Sequence, residues 1–364
     1  MTAIPTAAGR EHRVVRWIEG WVAKRPDVTL SRDRHGNLLL RQSKVRPRKG
    51  IAPIWFQAHL DHPAFVVRAL APQIELEFRG GVHDPYFVGA ALEIFDSLDR
   101  AHVATITSVD TNSKPFKIVR TSLAKPAPSL AVGDIGRWRL PKAKIANGLL
   151  HTHGCDDLAA VAAALCAFDR IRVKPGHGHV GVFLTRSEEI GFIGTIGAAR
   201  DGTLSKDSRI ICLENSRSFP ESPIGGGPIV RVGDRRSVFV PELTNRISDL
   251  LLEYQKTHPD FRYQRKLMPG GTCEATAYAS YGHVSTCLCL PLGNYHNMVD
   301  IDGVLAGQRP ALVGHEFVSM DDCLGLIEML EAITDPSIGL DGAKLMTMRQ
   351  TMETLWTDLN FVLS

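Results

Sequence analysis

No stretch of the 364-residue sequence approaches the roughly eighteen consecutive apolar residues that a membrane-spanning helix needs. Met1-Thr2-Ala3-Ile4-Pro5 has no basic region followed by an apolar run, so no secretory leader is read there and a soluble, cytoplasmic protein is expected. Cysteine is scarce and irregular. Its seven residues, an odd number without regular spacing, argue against a disulfide framework and for a reducing compartment. Cys287 and Cys289 lie two apart in an apolar stretch, which reads as core packing. A basic stripe is also missing: 42 Lys and Arg against 39 Asp and Glu leave a formal charge of +3, spread evenly, so nucleic acid is not an expected partner. The densest cluster, Arg46-Pro47-Arg48-Lys49, reads as a solvated loop. Gly225-Gly226-Gly227-Pro228 lacks the lysine and hydroxyl residue of a phosphate loop, which removes nucleotide binding from consideration.

What is present is an ordinary globular composition, 44% hydrophobic and 22% charged, in a chain long enough for one large domain and a smaller one. Helical spacing of Val14, Val15, Ile18 and Val22 between residues 9 and 25 predicts a helix laid on a sheet. Two short strands flank Asp33-Arg34-His35-Gly36 as a hairpin. The run from Ile51 to Ala58 is nearly all apolar, as a strand covered on both faces is, and it ends at His59-Leu60-Asp61. From about Arg68 to Gly148 short apolar runs alternate with Gly, Pro and Asp. That texture predicts a small barrel-like β domain at 68–148 inserted into a main domain made of 1–67 and 149–364. The fold class expected is α/β, a mixed central sheet flanked by helices with this β insert.

The candidate chemistry sits where predicted strands stop. Val180 to Leu184 runs into Ser187-Glu188-Glu189-Ile190-Gly191, and extended backbone would send the two glutamates opposite ways, one toward a metal and the other toward a water. Alone, such a pair is most often solvated surface. His59 closes another strand, and Asp61, two residues on, is placed to bond the free ring nitrogen and fix its tautomer. Asp156-Asp157 opens an alanine-rich helix, so one is expected as an N-cap while Asp156 faces a metal. Glu214 is expected at the end of the buried strand from Arg209, and His296 just past the one from Val284. Carboxyl ends of strands are where such sheets place sites. Two histidines and several carboxylates suit zinc, and a shared aspartate would hold two ions about 3.5–4 Å apart. His62, His151 and His153 lie near these loops and read first as structural or surface residues, with hydrogen bonding to the site's own residues as the alternative, and Cys155 reads as small packing.

In order along the chain, Gly9-Arg10-Glu11, Asp33 through Gly36-Asn37-Leu38, Ala58-His59-Leu60-Asp61, Asp156-Asp157, Glu188-Glu189-Ile190-Gly191, Gly271 to Ala275 and Pro291 to His296 resemble the di-metal aminopeptidases that include the tetrahedral and glutamyl aminopeptidases. The resemblance implies a cytoplasmic homo-oligomer that cleaves short peptides with two divalent ions, zinc first and cobalt or manganese as alternatives. It assigns His59 and Glu214 to one ion, Glu189 and His296 to the other and Asp156 to both. Glu188 becomes the general base acting on a metal-bridged water, and Asp61 orients His59. Glu214 stands where this branch usually has aspartate, and the wider clan pairs glutamate there with removal of C-terminal residues or acyl groups. A carboxypeptidase or N-acyl amino acid deacylase is therefore the alternative, and a non-catalytic metal-binding scaffold the third reading.

Overall fold

Every residue of Ile54–His59 and of Val180–Thr185 is buried, the pattern of strands at the centre of a sheet with both faces covered. The computed structural model describes residues 1–43, 45, 50–335, 340, 348–359 and 362, so the basic cluster at 46–49 lies outside the described residues. An eight-stranded mixed sheet runs in the order Val28–Arg32, Leu38–Gln42, Val180–Thr185, Ile54–His59, Arg209–Arg217, Val284–Leu292, Ile229–Gly233, Gln264–Leu267. Its four middle strands are parallel. The hairpin 28–42 adds antiparallel on one side, and Ile229–Gly233 antiparallel on the other.

Apolar side chains divide between the two faces by strand alternation. Phe56, Val182, Ile211, Leu213, Leu288 and Leu290 meet the helices His12–Ala23, Leu158–Ile171, Pro241–Gln255 and Met320–Thr334. Trp55, Phe183, Cys212, Cys287 and Cys289 meet Ala198 of Ile193–Asp201 and Tyr278 of Glu274–Ser280 on the opposite face. The molecule is thus three layers, helices on both sides of a sheet. Among the described residues no helix is long and apolar enough to cross a membrane.

Two features open a crevice over the sheet. After Ile54–His59 the chain returns as Val180–Thr185 on one side of that strand and next as Arg209–Arg217 on the other. Connections that leave a strand in opposite directions create a switch point at its carboxyl end. In addition, Ile54–His59 pairs with Arg209–Arg217 only as far as Gln57 and Cys212, so the two strands part just before His59 and Glu214.

Between the first central strand and the helix Leu158–Ile171 lies a closed six-stranded barrel, in the order Ala64–Ala69, Ile74–Arg79, Lys117–Leu123, Ala101–Asp110, Ala91–Phe95, Ile135–Trp138. Phe65, Phe78, Phe87 and Trp138 fill it with mutually edge-on and tilted rings, geometries that favour the aromatic quadrupole. Met298, Ile301 and Val304, just beyond His296 in sequence, complete the same apolar cluster. Barrel and crevice therefore share a wall.

Three local expectations need correction. Glu214 is inside its strand, which continues to Arg217, because Val284–Leu292 keeps pairing with it throughout. Asp156 does not follow a strand of the central sheet: Leu149–Thr152 belongs to a separate three-stranded sheet with Lys144–Ala146 and Glu316–Ser319. Finally, the strand before the two glutamates stops at Thr185, and Ser187 takes a left-handed φ of 58°. Glu188 and Glu189 thus diverge because of a turn, and the pleat plays no part.

Candidate metal centre

The crevice gathers all of the proposed ligands. His59, Asp156 and Glu214 each bring an atom into one group lying within 4.8 Å of one another, and Asp156, Glu189 and His296 form a second such group. Asp156 belongs to both. Its Oδ1 is 3.3 Å from His59 Nε2 and its Oδ2 is 3.5 Å from His296 Nε2, which is also 3.5 Å from Glu189 Oε1. A third group joins His59, Glu188 and Glu189, with Glu188 Oε2 at 3.8 Å from His59 Nε2.

These separations identify the kind of contact. They exceed an ordinary N–H···O distance of about 2.7–3.2 Å, whereas two ligands on a tetrahedral ion with arms of about 2.1 Å stand roughly 3.4 Å apart. The donor set of two imidazoles and carboxylates also suits a divalent ion. Asp156 Oδ1 and Glu189 Oε1 are buried with no hydrogen-bond donor. A buried carboxylate oxygen left so is costly without a cation. The residues present therefore fit a pair of metal ions.

Both histidines have their tautomer set by main-chain carbonyls. His59 Nδ1 lies 3.1 Å from the Asp61 carbonyl and His296 Nδ1 lies against the Gly81 carbonyl. A carbonyl can only accept, so each Nδ1 carries the hydrogen and each Nε2 presents its lone pair to the crevice. Gly81 follows the barrel strand Ile74–Arg79, so the barrel itself orients one ring. The expected partner of His59, the Asp61 carboxylate, is farther away at 3.6 Å. That carboxylate instead accepts from the backbone N–H of Glu188 at 2.9 Å and of Glu189 at 3.1 Å, which pins the turn carrying both glutamates.

Burial and crowding shape the protonation of the cluster. Burial raises the carboxyl pKa of Glu188, of Glu189 and of Glu214, and neighbouring carboxylates raise each further against the opposing pull of His59. Burial pushes Asp156 up as well, but its contacts with His296 and His59 outweigh this and hold it below the ordinary carboxyl range. For His59 burial works against the charged ring, yet Glu188, Asp156 and Asp61 prevail and raise its pKa.

Sequence reasoning missed the residues that hold this arrangement. Glu316 is fully buried. Its Oε2 accepts from the N–H groups of Cys155 at 2.6 Å and Asp156 at 3.0 Å, and its Oε1 accepts from His296 N–H at 2.8 Å. Burial pushes its carboxyl pKa up to about 8. Asp157 occupies the helix N-cap position without capping. Its carboxylate takes the His59 N–H at 3.1 Å and the Asn215 side-chain amide at 2.9 Å, filling the gap between the parted strands. Glu11 accepts from the Ser187 N–H and from Arg186, bracing the glutamate turn from the first helix. His62 bridges the Asp156 carbonyl and Asn297. Glu11 lay within a recognised motif, but Glu316 carries no local signal: its role depends on a sheet formed by segments more than 150 residues apart.

Beside His296 a cavity of about 430 Å³ opens, walled by Val82, Phe219, Met268, Tyr295 and Ile301 with Arg217. His151 and His315 stay away from the ligand groups; His151 stacks on Phe317 and His315 bonds the Pro141 carbonyl.

Comparison with known proteins bears on the family and the fold. The model of the M42 glutamyl aminopeptidase family matches residues 121–309, just over half of the chain. No curated protein matches the chain by sequence. Among solved structures, the chain is similar to the Pyrococcus horikoshii TET1 peptidase, described as assembling into a tetrahedron or a large octahedral shell, at 18% identity and a TM-score of 0.71 over 92% of this chain and 96% of that one. An aminopeptidase from the archaeon Desulfurococcus kamchatkensis gives 18% and 0.70 over 95% and 96%. A Thermotoga maritima protein described as an endoglucanase gives 18% and 0.65 over 93% and 97%. At such identities the likeness is one of fold.

Glu316→Ala leaves three buried N–H groups without an acceptor, each worth about 1–3 kcal/mol. Chemical unfolding of that variant is expected to show a loss of at least about 3 kcal/mol. A loss below about 1 kcal/mol would mean that Glu316 does not tie Asp156 to His296.

Proposed function

Because the chain belongs to the M42 glutamyl aminopeptidase family, we propose that it removes residues from the amino end of short peptides with two divalent ions, zinc being the expected metal. The observation that carries this reading is the pair of ligand groups joined through Asp156. His59 and Glu214 would hold one ion, Glu189 and His296 the other, with Asp156 shared. Ions bound there supply Lewis acidity toward the scissile carbonyl and lower the pKa of a water.

Glu188 is the general base. Its Oε2 faces the crevice near His59, and burial followed by the charges of Glu189, Glu274 and Asp61 raises its pKa. A carboxyl tuned upward takes a proton from water and returns it to the departing amine more readily than an ordinary one. Asp61 serves by holding the N–H groups of Glu188 and Glu189, which keeps the base and a ligand on one rigid turn. The 430 Å³ cavity beside His296 has the size and apolar lining of a substrate pocket. Glu214 keeps a second reading in view, cleavage from the carboxyl end or removal of an acyl group.

We also divide the chain into a catalytic part, 1–67 and 149–364, and an inserted β unit, 68–148. The closed barrel supports an inserted β unit, though its first strand, Ala64–Ala69, begins before residue 68 and moves the start of the unit to about residue 64. The unit is proposed to mediate association into homo-oligomers, and the relatives described as tetrahedral or octahedral shells support that. A cytoplasmic location suits the seven unpaired cysteines.

Glu188→Gln keeps size and polarity but cannot accept a proton, so turnover should fall on the order of 10²–10⁴-fold with metal content unchanged. Glu189→Gln should lower metal content. Metal stoichiometry and turnover on free-amine and N-blocked peptides decide both points: loss of metal in Glu188→Gln refutes the roles, and cleavage confined to N-blocked peptides refutes the aminopeptidase. Light scattering at micromolar concentration is expected to give a mass several times that of one chain; a monomer refutes the assembly.

A further inference from the structure

Arg231 is 1% exposed. It belongs to the strand Ile229–Gly233, directly across from Cys287. Its Nε and both Nη atoms are buried, and none has an acceptor among the described residues. A guanidinium carries five N–H donors and does not give up its charge in a protein. Burying it unpaired costs more than burying it with an anion. The ionisable groups that act on it most strongly are the thiols of Cys287, Cys289 and Cys273, followed by Glu214. Its field is felt at Cys273, whose thiol pKa burial raises but the Cys287 hydrogen bond and Arg231 draw below the ordinary value.

The side chain lines a cavity of about 30 Å³ that also touches Ser216, Arg217, Glu221 and Lys266. Three of the four charged residues on this wall are basic. The one acid, Glu221, is exposed, and Arg217 is already paired with Asp302 and stacked over Phe219. The space takes one or two water-sized species, which admits a halide or the end of a carboxylate and excludes a phosphate ester. Arg217, Phe219 and Met268 line both this cavity and the larger one beside His296, so the two adjoin.

We propose that the cavity at Arg231 is a binding site for a compact monoanion, held by the unpartnered guanidinium. The anion is a free halide, and this inference does not rest on the peptidase reading.

Bromide tests this. Wild-type crystals soaked in sodium bromide should show an anomalous peak within hydrogen-bond reach of Arg231, and bromide titrated against gluconate at constant ionic strength should raise the unfolding midpoint saturably. Arg231→Met should abolish that rise. A peak without a saturable rise is binding at crystal concentration only and counts against the proposal. Absence of a saturable bromide effect on the wild-type protein overturns it, as does a rise that persists unchanged in Arg231→Met. Should Arg231→Met fail to fold, the position of the wild-type peak and the wild-type midpoint decide.

Discussion

Mutual repulsion among buried carboxylates is the constraint on which this molecule turns. Asp156, Glu188, Glu189 and Glu214 converge where two strands part, and among the described residues only His59 and His296 stand in these groups as potential cations. Burial alone would drive such groups toward their neutral forms, and each of the three glutamates is raised accordingly. Divalent ions bound as proposed would resolve the conflict by replacing repulsion with coordination, and the distances between donors have the spacing of ligands around an ion. A site of this kind is held together by the rest of the protein until metal arrives.

The holding is done by a second set of buried acids, and the two sets differ in what their oxygens face. Asp61, Asp157, Glu316 and Glu11 are all fully buried, and each accepts with at least one oxygen from a backbone N–H of a segment that carries proposed ligands. Asp156 and Glu189 keep oxygens with no donor at all. A buried backbone N–H is costly to leave without an acceptor, so the supporting acids fix the loops while the others stay available.

This division explains what could be read from the sequence. The αβα layering follows from fully buried, largely apolar strands at 54–59 and 180–185 and from the helical spacing around them. The small barrel follows from short runs punctuated by turn residues. Ligand candidates were legible because polar residues at the ends of apolar runs are conspicuous. Asp61 reads from sequence as orienting His59 and Asp157 as a helix cap, but neither reads as an acceptor for the N–H groups of Glu188, Glu189 or His59, because that depends on the turn beyond Thr185 and on the separation of strands after Gln57, neither of which is local. Glu316 was invisible because the N–H groups it serves lie at 155, 156 and 296.

The barrel enters the argument at the same level. Gly81 fixes the His296 tautomer, and Met298, Ile301 and Val304 pack into the barrel core immediately after that histidine. His296 itself has a φ of 54°, a left-handed conformation that a non-glycine residue holds only when its surroundings over-determine it. Here the surroundings are Glu316 on its N–H, Gly81 on its ring and the barrel cluster on the residues that follow. A change in the barrel that moves Gly81 or loosens Met298 therefore acts on the proposed ligand His296, although the barrel places no side chain in either group.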